Sequence, residues 1–135
     1  MPTAAQPLAD AEGKPSQVWW RFWYGLLTRS AATVTYLVAT ALTATGTAQA
    51  DALQLTAEWN ELTTVAANTG VVLFDFGAGL ESTVWNAGAN SLKVYPPVGS
   101  TIDGGAANDP YVLAAGKAQV FYQLDATSFR TLQLG

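Results

Sequence analysis

The 135-residue chain contains no cysteine and no histidine. The first absence rules out disulfides, thiolate metal ligands and cysteine nucleophiles. The second removes imidazole ligands and the Ser-His-Asp arrangement. With no thiols, redox chemistry says nothing about compartment. Charge is scarce too: 12% of residues are Asp, Glu, Lys or Arg, about half the usual share of a soluble domain. The net charge is −4 and there is no basic run, so the electrostatic footprint of a nucleic-acid binder is missing. These absences predict a protein without metal or cofactor that makes no use of nucleic acid.

Carboxylates are the only catalytic residue type present in number. Glu58 with Glu61, Asp75 with Glu81 and Asp103 with Asp109 can each be written as an acid/base pair for glycoside hydrolysis. All three pairs fall at expected turns or strand edges, where acids shape turns and keep edges soluble. The stretch "DGGAAND" (103–109) lacks the ligand spacing of a calcium loop, and no glycine-rich phosphate loop leads from a strand into a helix. The expectation is a protein that is not an enzyme.

What the chain does have is apolar surface, for half its residues are hydrophobic. At this length one core with appendages is expected. Residues 1–17 are rich in Pro, Ala and small polar residues, the composition of an extended arm. The following "VWWRFWYGLL" (18–27) sets five aromatic residues between Trp19 and Tyr24. Trp19, Phe22, Trp23, Leu26 and Leu27 recur at helical spacing, with Trp20 on the flank, which predicts a short amphipathic helix ending near Arg29. Three turns of helix are too short to stand alone in water. Tryptophan is the residue most favoured as a buried interface anchor. Residues 1–29 are therefore read as an anchor arm and helix, with Trp19, Trp20, Phe22, Trp23, Leu26 and Leu27 docking on another protein.

Residues 30–50, "SAATVTYLVATALTATGTAQA", carry no charge. The run imitates a leader with an Ala-x-Ala cleavage site and has about the length of a membrane span. Its threonines count against a span, and two-fold alternation explains it better: Ala32, Val34, Tyr36, Val38, Leu42 and Ala44 alternate with Thr33, Thr35, Thr43, Thr45 and Thr47. That is an extended strand with one dry face. No membrane partner is expected. A long strand outside any tight hairpin invites pairing with another chain, so Val34, Tyr36, Val38 and Leu42 are the expected oligomerisation residues.

Residues 51–135 read as an antiparallel β domain. Expected strands are Leu53–Ala57, Glu61–Ala66, Val71–Phe76, Ser82–Asn86, Ser91–Tyr95, Tyr111–Ala114, Ala118–Leu124 and Phe129–Leu134, separated by turns such as "NTG", "NAGAN" and "PPVGS". Short strands at this spacing predict a mostly β fold, a small antiparallel β-sandwich or jelly-roll-like domain. Val84, Leu92, Val94, Val112, Val120, Tyr122 and Leu124 are the expected inward set. Trp59 and Trp85 are read first as core or interface residues, and second as possible surface-binding residues with a glycan as their ligand.

The runs "TATGTAQADALQLTAEWNELTTVAANTGVVL" (43–73) and "VWNAGANSLKVYPPVGSTIDGGAANDPYVLAAGKAQVFYQ" (84–123) resemble a module of tailed-bacteriophage virion proteins. In that module an "N-x-G-A-N-x-L-x-V-Y-P" segment precedes an "I-x-G" loop and an "L-A-A-G-K" turn. The segment "PSQVWWRFWYGLL" resembles a peptide that precedes fibre-like phage proteins. The resemblance implies a structural subunit of the virion, a short head or tail fibre that is a homotrimer, attached through residues 1–29 to a capsid, portal or tail adaptor protein. It also allows a capsid decoration (cement) protein. The chain is short for a receptor-binding fibre, having no long repetitive shaft.

Overall fold

A computed structural model describes residues 36–132. The expected anchor segment 1–29, its helix, and the linker as far as residue 35 lie outside the described residues. Among the described residues the ordered elements are ten strands and one 3-10 turn. The strands are β1 (Val38–Thr43), β2 (Leu53–Gln54), β3 (Trp59–Thr64), β4 (Gly70–Val72), β5 (Glu81–Asn86), β6 (Leu92–Tyr95), β7 (Thr101–Ile102), β8 (Tyr111–Leu113), β9 (Ala118–Gln123) and β10 (Ser128–Thr131).

They form a β-solenoid of about four turns, which corrects the expectation of an antiparallel sandwich. The first three coils repeat one path, β1 to β2, β3 to β4, β5 to β6. Successive coils stack in parallel register, β1 on β3 on β5 in one sheet and β2 on β4 on β6 in the other. Each coil spans about 20 residues, a solenoid period. The last layer reverses. β8 runs antiparallel to β6, β9 antiparallel to β5, and β10 turns back on β9 with β7 at its far side. The larger sheet therefore has the order β1-β3-β5-β9-β10-β7 and the smaller β2-β4-β6-β8.

Why the pattern misled is physical. A solenoid and a sandwich both press two sheets together over a core, and both alternate inward and outward residues along short strands. What separates them is whether a turn returns the chain beside the strand it has left or carries it to the opposite sheet. "NAGAN" (86–90) does the second. Asn86 Nδ2 donates to Asn90 O at 2.8 Å and to Leu113 O at 3.0 Å, and its Oδ1 accepts from Gly88 N at 3.1 Å. Asn90 Nδ2 donates to Val65 O at 2.9 Å, in the coil below. The corner is thus tied to its neighbouring coils through side-chain amides.

The core lies between the sheets. Leu62, Val84, Phe121 and Phe129 from the larger sheet meet Val71, Leu92, Val94 and Leu113 from the smaller, all buried. Phe129 meets Phe76 edge to face at 5.5 Å, and Phe121 meets Tyr111 likewise at 5.5 Å. Of the expected inward set, Val84, Leu92 and Val94 are buried. β9 has the opposite phase to the one expected: Phe121 and Gln123 point in, and Val120 and Tyr122 lie on the outer side. Val112 and Leu124 are exposed.

β1 belongs to the solenoid and pairs in parallel with β3 of its own chain. Its alternation is broken between Ala39 and Leu42, a step of three residues that faces the step of two from Asn60 to Leu62, with a register shift there. Ala41 takes φ 57° there, the left-handed conformation of a bulge residue. The bulge swaps faces, so Leu42 and Ala44 turn toward the core while Tyr36 and Val38 stay outside.

Candidate functional site

The registers give the outer side of the larger sheet a defined layout. One row across four strands reads Val38, Trp59, Thr83, Val120. The next reads Glu61, Trp85, Ala118, and on the other side of the first lies Glu81, Tyr122, Arg130. Trp59 sits beside Thr83, and Trp85 beside Glu61. The two indoles therefore occupy diagonal positions on adjacent strands, a separation of roughly 7–8 Å between backbones. Trp59 is 38% exposed and Trp85 37%, while Val38 is 61% and Tyr36 66% exposed. A single exposed apolar residue is ordinary, but a contiguous group is a mark of an interaction surface.

The outer side of the smaller sheet is different. Val72 and Tyr95 point outward from that sheet yet are buried. The segment 44–52 crosses over them: Tyr95 Oη reaches Thr47 O at 3.4 Å and Gln49 Nε2 donates to Pro96 O at 2.7 Å. Beside it an open cleft of about 510 Å³ is lined by Gln49, Gln54, Phe74, Asp75 and Val98 among others.

One acid of each pair singled out in the sequence bonds within the fold. Glu58 Oε2 accepts from Leu37 N at 2.8 Å and so fastens the entry to β1. Asp75 Oδ1 accepts from Gln123 Nε2 at 2.6 Å and from Gly77 N at 3.2 Å. Asp103 accepts from Thr131 N at 2.8 Å and Thr131 Oγ1 at 2.7 Å. Among the described residues no three Asp or Glu side chains gather as a metal site would require.

Among the described residues three titratable groups are displaced from their ordinary values. The Ala48 amide, 2.8 Å from Asp51 Oδ1 at the 3-10 turn Gln49–Asp51, holds the Asp51 carboxyl below the usual carboxylate range. The Thr127 amide, then the Ser128 hydroxyl, does the same for Asp125. On the outer face Tyr122 donates to the Glu81 carboxylate, and that bond together with the Glu81 charge raises its phenol.

Of the expected oligomerisation residues, the structure places Tyr36 and Val38 on the open outer face and Leu42 against the chain's own core. Val34 and the anchoring set Trp19, Trp20, Phe22, Trp23, Leu26 and Leu27 lie outside the described residues. Trp59 and Trp85, singled out separately in the sequence, share one face. Tyr122 and Val120 were expected inside, and only the phase of β9 brings them to the same surface. A comparison with protein families, characterised proteins and solved structures finds no match.

Proposed function

We propose that the chain is a non-enzymatic structural subunit of a tailed-bacteriophage particle, a short fibre held to another virion protein by residues 1–29 and assembled as a homotrimer. The observation that carries this reading is the outer face of the larger sheet, where Trp59, Trp85 and Val38 stand open to solvent on paired strands. An exposed aromatic face on a charge-poor chain suits a subunit that completes its structure by association. A stack of hydrogen-bonded coils is also a stiff element, since each rung is braced by its neighbours. The resemblance of the 43–73 and 84–123 segments to phage virion modules supports the setting.

The test compares particles assembled from a genome carrying the full gene with particles from one lacking codons 1–29. The full chain is expected in purified particles at a few copies each, and the shortened chain to stay folded but unincorporated. Absence of the full chain from particles overturns the reading. A high copy number that follows the capsid lattice, with loss of shell stability in its absence, replaces the fibre with a cement protein.

A further inference from the structure

We propose that the cleft beside the 44–52 segment receives an arginine side chain presented by another protein. Taking that arginine from a protein rests on reading the chain as an assembly subunit; the chemistry of the cleft stands without it.

The cleft, about 510 Å³, has the size of a ligand site. Three stretches of chain line it: the 3-10 turn and β2, the residues from Val72 to Asp75 that end and follow β4, and the corner at Pro97 and Val98. Phe74 is half-buried, with Phe76 edge to face against it at 5.2 Å, and its remaining surface belongs to the cleft. Val98, 84% exposed, adds an apolar wall.

The polar side chains lining the cleft are Gln49, Gln54 and Asp75, and their nitrogens are already committed. Gln49 Nε2 donates to Pro96 O at 2.7 Å. Gln54 Nε2 donates to Leu55 O and Val72 O, each at 3.2 Å. A carbonyl only accepts, so these partners fix which amide atom is the nitrogen and leave Oε1 of each glutamine over. Asp75 Oδ1 takes the bonds from Gln123 Nε2 and Gly77 N, which leaves Oδ2 over. Among the described residues none of these three oxygens has a partner, and Asp75 is the only charged residue among those lining the cleft.

Everything unspent there is an acceptor, the charge is negative, and an aromatic ring stands beside it. Such a site selects a cation that donates and does not accept. A saccharide hydroxyl needs donors as well as acceptors and meets no unspent side-chain donor. A guanidinium carries five N–H donors and no acceptor. It is planar and weakly hydrated, so it stacks on an aromatic ring while bonding a carboxylate. The lysine ammonium holds its donors at one strongly hydrated point and serves spread acceptors less well.

NMR titration of the full chain with N-acetyl-L-arginine methylamide tests the proposal. The side-chain amide signals of Gln49 and Gln54 and the ring signals of Phe74 are expected to shift and saturate, with a dissociation constant on the order of 1 mM. N-acetyl-L-citrulline methylamide, of the same shape without the charge, is expected to bind at least about tenfold more weakly. Asp75→Asn is expected to cause the same loss, since an amide oxygen there still accepts from Gln123 and Gly77. Val98→Lys, which brings the chain's own ammonium to the cleft, is also expected to lose binding. Glu81→Gln removes the same charge from the other sheet and is expected to change nothing. No shift with the blocked arginine, equal binding of citrulline, or a loss shared by Glu81→Gln overturns the proposal, as does a methyl glycoside that moves these signals where arginine does not. Saturation by agmatine without saturation by the blocked arginine overturns the protein source in favour of a free guanidino compound. Arginine binding by a chain that enters no particle keeps the chemistry of the cleft and overturns the virion reading. Particle incorporation of a chain that binds no arginine does the reverse.

Discussion

Asn60 on β3 and Ser82 on β5 meet inside the solenoid, where Asn60 Nδ2 donates to Ser82 Oγ at 3.2 Å. Both also bond Ala57 O, Asn60 Nδ2 at 2.7 Å and Ser82 Oγ at 3.2 Å, so one carbonyl is held by two consecutive coils. Neither side chain has any exposure. Asn60 Oδ1 accepts no bond, and the amide still has a net role because its nitrogen serves three acceptors, Thr83 O among them at 3.3 Å. Asn60→Ala is expected to cost about 2–4 kcal/mol, from buried acceptors left without donors plus the cavity. Ser82→Ala is expected to cost about 1 kcal/mol. Urea unfolding of the two single variants and the double variant reads both costs, and their non-additivity measures the coupling between the coils.

Gly88, within the 86–90 corner, lies against the coil below. A methyl group there would stand 2.7 Å from Val65 Cβ and 2.9 Å from Val65 N. Because backbone as well as side chain is in the way, the coils must part to admit it. Gly88→Ala is expected to destabilise by about 1–3 kcal/mol, seen as a lower thermal midpoint with the β spectrum retained below it.

At the bulge of β1, Ala41 holds φ 57°, a conformation that costs a residue with a Cβ about 1–2 kcal/mol. Ala41→Gly removes that cost and adds back some unfolded-state entropy, for an expected net change between about zero and +1 kcal/mol. Ala41→Val is expected to destabilise, since a β-branched residue fits that region least. Both are read by chemical denaturation.

Tyr122 donates to Glu81, and the carboxylate raises its phenol above the ordinary value of 10.0. A group whose folded pKa is raised contributes stability that is complete below its unfolded pKa and lost as pH climbs through the folded one. Stability is therefore expected to decline above pH 10, the window in which the unfolded phenol ionises first. Glu81→Gln is expected to bring the Tyr122 titration down toward its ordinary value, measured by tyrosinate absorbance against Tyr122→Phe.

Much of the local structure was legible in the chain. The strands at Ser82–Asn86, Ser91–Tyr95, Tyr111–Ala114 and Ala118–Leu124 fall within a residue or so of their places, because β-branched runs bounded by Gly, Asn and Pro turns are local signals. The two-residue strand β7 was not legible, since Thr101 and Ile102 become a strand only by lying beside Ser128 and Phe129. The phase of β9 was missed for a related reason. Val120, Tyr122 and Leu124 are as apolar as an inward set should be, but Phe121 is what the core accepts and Gln123 is drawn inward by Asp75 and Gly77 N. Trp59 and Trp85 stood out in the sequence as core or interface residues or possible surface binders, and their shared neighbourhood was not legible, because it depends on β3 and β5 pairing in parallel.

By itself the sequence determined a short-stranded β fold without thiol or imidazole chemistry. Composition and nearest neighbours in the chain decide those properties. Only the tertiary structure decided that the strands climb in parallel coils and that one sheet is roofed while the other presents Trp59 and Trp85. The direction of a strand depends on where a corner such as 86–90 delivers the chain, and that is set by bonds to Val65 and Leu113 in other coils. Period-two alternation satisfies a sandwich and a solenoid equally, so long-range pairing had to choose between them.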